Sequence, residues 1–205
     1  MNVAGVILAA GSSTRFEDGH KLLVETGGIP IIRHVASALA QSRVGEIVLV
    51  TATKNDAVAK AAGPGRWRTI ANPNASHGLS SSLRLGLRSI AENADGVLIA
   101  LADMPGVTAE LVNSLLAAFA ESKSRMIVFP VAVDGRRGHP VIWPKELIPE
   151  LMNLSGDAGG REIIARHREL WCPVPCEDLG AFTDIDTRED LAAFRQTDLQ
   201  TTRRK

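Results

Sequence analysis

An unbroken apolar run near the start of the chain limits its possible folds more than any other feature. Residues Val3 to Ala10 read VAGVILAA, with no alternation of polar and apolar side chains. A strand that is apolar at every position must be covered on both faces, which is typical of a central strand in a parallel sheet. The run therefore predicts a sheet with helices packed on both sides.

Further segments repeat this pattern. Residues 46–51 and 96–102 form two more apolar runs and predict buried strands. Segments with apolar residues at helical spacing separate and follow these runs. The clearest are 30–41, 80–91 and 108–120. Strands that alternate with helices favour an α/β fold with a single, mostly parallel open sheet and helices on both faces.

Composition narrows the class of protein. The 205 residues fit one domain, which we predict to span residues 1–195, with 196–205 as a C-terminal tail. The 23 basic and 23 acidic side chains balance, which argues against a nucleic-acid binder. No apolar run approaches the ~20 residues of a membrane span. With two cysteines and no basic leader segment, the expected compartment is the cytoplasm.

The loop after the first predicted strand contains candidate phosphate ligands. In sheets of this kind, ligands bind beyond the carboxyl ends of the strands. The loop begins at Gly11, and its backbone N–H groups can converge on an anion. Arg15 and Lys21 add two cations that could neutralise a triphosphate. The loop matches neither a P-loop nor a dinucleotide-binding fingerprint, so a polar turn with two solvated cations is the alternative.

Three other segments carry candidate binding groups. Ser80 to Ser82 open a predicted helix, whose free N–H groups and hydroxyls could bind a base or a phosphate; a simple serine N-cap is the alternative. Asp103 ends a buried strand and could hold Mg²⁺ together with substrate phosphates, or merely cap a turn. His139 could donate to a phosphate or orient an acceptor, or could simply bond to the backbone of a turn.

Several ordered segments resemble the motifs of one family. They are L-A-A-G-S-S-T-R-F from Leu8 with K-L-L from Lys21, G-L-S-S-S-L from Gly78, L-A-D-M-P ending at Pro105, G-H-P from Gly138, L-S-G-D-A-G-G-R from Leu154 and D-I-D-T-R-E-D-L from Asp184. Together they resemble the nucleotidyltransferases of molybdenum cofactor synthesis. Two departures are the loop before Lys21, which is one residue longer than usual, and Arg188 in place of the usual proline.

The resemblance implies a Rossmann-like nucleotidyltransferase fold and a division of roles. It implies that the nucleotide is bound by Leu8, Ala9, Ala10, Gly11, Ser12, Arg15, Lys21, Gly78 and Ser82. It implies that the acceptor is bound by His139, Gly156, Asp157 and Arg161. Mg²⁺ is expected on Asp103 and on Asp186, the acid directly before the threonine of its motif. Arg15, Lys21 and Asp103 are the expected catalytic residues.

Within that family, the motifs are most similar to those of the cytidylyltransferase branch. This chain reads Leu8-Ala9-Ala10-Gly11, whereas related guanylyltransferases tend to read L-A-G-G. A Cβ at position 10 narrows the base pocket and favours CTP. Molybdopterin is then the acceptor, and a molybdenum hydroxylase a partner. The alternatives are a guanylyltransferase that uses GTP, a transferase for another phosphorylated acceptor, and a non-catalytic accessory protein that binds the cofactor.

Overall fold

A computed structural model describes residues 1–11, 16, 19–53, 57–177 and 179–202 of the chain. The strands are β1 (Val3–Leu8), β2 (Glu25–Thr26), β3 (Ile29–Pro30), β4 (Ile47–Thr51), β5 (Arg68–Ala71), β6 (Gly96–Leu101), β7 (Ile127–Val131), β8 (Val141–Pro144) and β9 (Trp171–Pro175). The α-helices are α1 (Ile31–Gln41), α2 (Ala57–Ala62), α3 (Leu79–Arg88), α4 (Ala109–Glu121), α5 (Ile148–Met152), α6 (Arg161–Arg166) and α7 (Arg188–Thr202). Ser12 and Arg15 lie outside the described residues.

One sheet of seven strands organises the molecule, in the order β5-β4-β1-β6-β8-β7-β9. Strands β5, β4, β1 and β6 are mutually parallel, and β7 pairs in parallel with β9. Strand β8 lies between β6 and β7 and is antiparallel to both. The link from β7 to β8, residues 132–140, is shorter than the ~12 residues that a parallel crossover needs. The mostly parallel open sheet is therefore confirmed, with β8 as its exception.

Both faces of the sheet are covered, as the apolar run in β1 predicts. All six residues of β1 are buried. On one face, Ile7 belongs to a core with α1 and α4; on the other, Val6 belongs to a core with α3, α5 and α6. Successive side chains of a strand point to opposite faces, so an unbroken apolar strand supplies both cores.

Helix α7 starts at a reciprocal cap and runs farther than expected. Thr187 Oγ1 accepts a hydrogen bond from the backbone N–H of Asp190 at 3.1 Å, and the Asp190 carboxylate accepts one from the Thr187 N–H at 2.8 Å. The helix then continues to Thr202, into the segment 196–205 that the sequence predicts to be a C-terminal tail. Residues 188–202 contain no glycine or proline to end it. In the described part of the chain, no helix is long and apolar enough to cross a membrane.

Candidate active site

A cleft of about 810 Å³ lies beyond the carboxyl ends of β1, β4 and β6. Its lining brings together residues from widely separated motifs. Those that the sequence singles out are Leu8, Ala9, Ala10, Gly11, Lys21, Gly78, Ser82, Asp103, Asp157 and Asp186. The lining also includes residues that the motifs did not indicate, among them His20, Ala52, Ala75 and Ser76. Ala52 directly follows β4, so the strand-end rule could have identified it.

Lys21 lies between two carboxylates at one side of this cleft. Its Nζ donates to Asp103 Oδ2 at 2.7 Å and to Asp186 Oδ1 at 2.6 Å. The Lys21 side chain is 13% exposed, so solvent screens these contacts only in part. One ammonium and two carboxylates together carry an excess of negative charge, so this cluster suits a phosphate-bearing ligand only when a divalent cation accompanies it.

Backbone contacts bring the two carboxylates to the same place. The N–H of Ile185 donates to the Asp103 carbonyl at 2.9 Å, which ties the segment before α7 to the end of β6. The N–H of Asp186 then donates to the Asp190 carboxylate at 3.1 Å, inside the cap of α7. Asp184 is exposed and does not line the cleft. The structure therefore brings Asp186, and not Asp184, to Asp103.

The electrostatics keep Lys21 charged. Burial alone lowers the pKa of Lys21, but the charges and hydrogen bonds of Asp103 and Asp186 outweigh this effect, so that the pKa is raised above 10.5. At neutral pH the side chain is an ammonium ion. Two of its three N–H donors are used by the carboxylates.

The same two carboxylates fit a magnesium ion. Asp103 Oδ1 is buried and has no hydrogen-bond partner within the described residues, which is costly unless a ligand compensates. Mg²⁺ prefers oxygen ligands and is often held by one or two carboxylates plus substrate phosphates. No group of three or more His, Cys, Asp or Glu side chains could hold a metal in the part of the chain that is described. Asp103 and Asp186 would therefore supply two ligands and leave the remaining positions to phosphate and water.

The start of α3 differs from its sequence prediction. Its N-cap is Gly78, not a serine, and two of the N–H groups expected to be free are occupied. The Leu79 N–H donates to Asp157 Oδ1 at 3.3 Å, and the Ser80 N–H donates to the Gly156 carbonyl at 3.1 Å. A Cβ on Gly78 would overlap the backbone of Gly156. These glycines thus allow a loop to cap the helix, and the expectation of an open anion site at these N–H groups is wrong.

His139 and Arg161 do not line the cleft. The His139 backbone N–H donates to the Ala181 carbonyl at 2.9 Å, and its ring has a hydrogen bond to the backbone of Ile99. Burial lowers the pKa of His139 and outweighs the opposing effect of the nearby Asp103 charge. Arg161 is exposed at the first position of α6. Of the predicted acceptor residues, Asp157 lines the cleft, and Gly156 packs against Gly78 at its edge.

The chain is similar in sequence to several known proteins. Residues 5–170 match the model of the MobA-like NTP transferase domain. The chain is 29% identical to the nicotine blue oxidoreductase of Paenarthrobacter nicotinovorans, with 92% of this chain and 94% of that protein covered. It is 28% identical to the molybdenum cofactor guanylyltransferase of Vibrio atlanticus, with coverages of 92% and 93%.

A solved structure shares the fold. Rv0371c from Mycobacterium tuberculosis in complex with manganese superposes with a TM-score of 0.75 at 22% identity, over 96% of this chain and 99% of that one. The match to the family model covers more than half of the chain and confirms the resemblance that its motifs carry. The chain belongs to the MobA-like NTP transferase family.

Proposed function

We propose that this nucleotidyltransferase moves a cytidylyl group from CTP to the terminal phosphate of molybdenum-loaded molybdopterin and releases pyrophosphate. The observation that carries the proposal is the contact of Lys21 with Asp103 and Asp186, at 2.7 and 2.6 Å, in the strand-end cleft. A cation and two carboxylates suit the binding of a triphosphate with a divalent ion.

The reaction is an in-line substitution at the α-phosphorus. An oxygen of the acceptor phosphate forms the new P–O bond, and the bond to pyrophosphate breaks, without a covalent enzyme intermediate. Catalysis is then positioning and stabilisation of the charge that develops on the phosphates. Asp103 and Asp186 would hold Mg²⁺, which supplies neutralising positive charge when it is bound. Lys21, with Arg15 from the same loop, contributes the protein's own positive charge to the phosphates.

Ala10 supports the choice of CTP. This residue is buried and lines the cleft, so that its Cβ takes space that a glycine would leave open. A pyrimidine needs less of that space than guanine. GTP is the alternative, supported by the similarity to the Vibrio atlanticus guanylyltransferase.

The acceptor residues remain part of the proposal. We assign the phosphate of molybdopterin to the side of the cleft where Asp157 lies, next to Gly156. His139 and Arg161, which do not line the cleft, stay in the proposal as the acceptor residues that their motifs indicate. The cytosine dinucleotide product then passes in the cytoplasm to a molybdenum hydroxylase. Another phosphorylated acceptor, or an accessory role without turnover, would use the same cleft.

A redox role is a second candidate function. It is favoured by the similarity to nicotine blue oxidoreductase over nearly the full length of both chains. The cleft in that case would hold a redox nucleotide instead of a triphosphate. Oxidation of NADH or NADPH by the purified protein with an added quinonoid dye as the two-electron acceptor, followed by absorbance, distinguishes the two.

The decisive experiment is pyrophosphate release with Mg²⁺, molybdenum-loaded molybdopterin and each of CTP, GTP, ATP and UTP. Release with CTP alone is the expected result. Release with GTP in preference to CTP keeps the transfer reaction and overturns the argument from Ala10. No release with any nucleotide overturns the proposal for this acceptor and leaves the accessory and redox roles.

A further inference from the structure

A buried hydrogen-bond network beneath one wall of the cleft concerns how the nucleobase is recognised, and the inference drawn from it rests on the proposed function. Asn72 follows β5 and is 3% exposed; Ser81 and Ser82 lie in the first turn of α3 and are 8% and 4% exposed. Ser82 lines the cleft and Ser81 does not. Neither the motifs nor the family comparison gives Asn72 a role.

The orientation of the Asn72 amide follows from its backbone partner. The N–H of Asn74 can only donate, and it contacts Asn72 Oδ1 at 3.0 Å. Oδ1 is therefore the end that faces Asn74, and the NH₂ group faces the two serines. Nδ2 donates to Ser81 Oγ at 2.7 Å and to Ser82 Oγ at 2.9 Å. Both hydroxyl oxygens thus act as acceptors toward Asn72.

The two hydroxyl protons then differ in their use. Ser81 donates its proton to the Asn74 carbonyl at 2.6 Å. Ser82 keeps one proton to donate, and among the described residues its Oγ donates no hydrogen bond. A serine hydroxyl carries one proton. Because the Asn72 NH₂ group donates to the Ser82 oxygen from one side, the Ser82 proton must point in another direction. For Ser82, which lines the cleft, that direction is the cleft.

We propose that Asn72 is a positioning residue that fixes the Ser82 hydroxyl as a hydrogen-bond donor to the nucleobase. The Ser82 hydroxyl donates to an acceptor on the edge of the base, which is a carbonyl oxygen or an unprotonated ring nitrogen. Asn72 acts through Ser82 and does not itself touch the nucleotide. The phosphates are held elsewhere, at Lys21, so the network contributes to base binding and not to phosphate binding.

The test measures the dissociation constants of CTP, GTP and inorganic tripolyphosphate, each with Mg²⁺, by titration calorimetry. Ser82→Ala removes the donor. It is expected to weaken the binding of the nucleotide that wild type prefers about tenfold, whereas the dissociation constant of tripolyphosphate is expected to change little. Ser81→Ala is the matched control: it loses the same Asn72 contact, but its proton serves only Asn74. It is expected to lower the melting temperature and to leave nucleotide affinity unchanged.

Asn72→Asp probes the positioning role directly. A carboxylate in place of the NH₂ group accepts the Ser82 proton and turns it away from the cleft, so we expect a loss of nucleotide affinity equal to that of Ser82→Ala. The double variant with Ser82→Ala is expected to lose no more, because both changes remove one donor. If the buried carboxylate prevents folding, the Asn72→Ala variant is used in place of Asn72→Asp. Asn72→Ala leaves the Ser82 hydroxyl free to rotate, so we expect the affinity for the nucleotide to fall about threefold and the affinity for tripolyphosphate to stay unchanged.

Two outcomes would overturn the inference by itself. One is wild-type nucleotide affinity in Ser82→Ala or in the folded Asn72 variant. The other is an equal weakening of nucleotide and tripolyphosphate, which would reveal a purely structural network. If wild type binds neither CTP nor GTP, the proposed function fails first and the inference fails with it.

Discussion

Two parts of the candidate site, which we propose bind the nucleotide (the nucleotide side) and the acceptor (the acceptor side), relate differently to their sequence motifs. On the nucleotide side, Lys21, Asp103 and Asp186 come from segments far apart in the chain and meet within 2.7 Å. On the acceptor side, His139 and Arg161 come from equally clear motifs but do not line the cleft. The nucleotide side is built at the ends of parallel strands, where topology forces convergence. The acceptor side comes from the loop before the antiparallel strand β8 and from the start of the short helix α6, where no such rule applies.

Asp103→Asn tests the nucleotide side with the largest expected effect. The change keeps the shape of the side chain but removes the charge that pairs with Lys21 and would hold Mg²⁺. We expect kcat for nucleotidyl transfer to fall on the order of 10³-fold, because several electrostatic contacts are lost together. Pyrophosphate release gives the rate, and circular dichroism confirms folding.

Asp184→Asn is the matched control for that change. Asp184 is an exposed carboxylate two residues from Asp186 and does not line the cleft. It is expected to retain wild-type kcat. Equal losses in the two variants would mean that net charge near the cleft, and not the Asp103 contact, determines activity.

Much of the nucleotide side could be predicted from the sequence. The apolar run in β1 predicts two covered faces, and the position of Asp103 after β6 places it at the ligand edge of the sheet. The proximity of Asp186 follows less directly, since it needs the backbone tie between Ile185 and Asp103, more than eighty residues apart in the chain. Only the family resemblance pointed to it.

Other features could not be predicted because they depend on long-range packing. The capping of α3 by Gly156 and Asp157 joins segments that no local pattern links. Strand β8 lies between β6 and β7 in the sheet, and the hydrophobic periodicity of the sequence does not determine the order of the strands. Asn72 follows a short, poorly marked strand, and its role becomes visible only when the serines of α3 are placed against it.

Lys21→Met tests how much one positive charge contributes on the nucleotide side. We expect kcat to fall about 10²-fold, the effect of losing one preorganised charge, on the order of 3 kcal/mol. In the absence of nucleotide, Mg²⁺ is expected to raise the melting temperature more in this variant than in wild type. The reason is that the ion no longer competes with the ammonium group for Asp103 and Asp186.

The control for the Lys21 variant is Lys145→Met. Lys145 does not line the cleft, and its Nζ donates to the Glu92 carbonyl at 2.9 Å. Its response to Mg²⁺ is expected to equal that of wild type. An Mg²⁺ response of Lys21→Met no larger than that of wild type would show that the two carboxylates do not bind the ion without nucleotide.

The smallest effect belongs to the acceptor side, where His139 is held neutral by burial. Its folded-state pKa lies below the ordinary value of 6.5, so between those two values the unfolded chain binds a proton that the folded chain does not. The free energy of unfolding therefore falls as the pH drops below about 6.5, with a slope of at most about 1.4 kcal/mol per pH unit for one proton.

His139→Gln is expected to remove that slope, whereas His77→Gln, at an exposed position, is expected to keep it. Urea unfolding between pH 5 and pH 8 (a range of about three units around the histidine pKa) measures both. A slope that survives in His139→Gln would assign the proton to another group and would mean that burial does not hold His139 neutral.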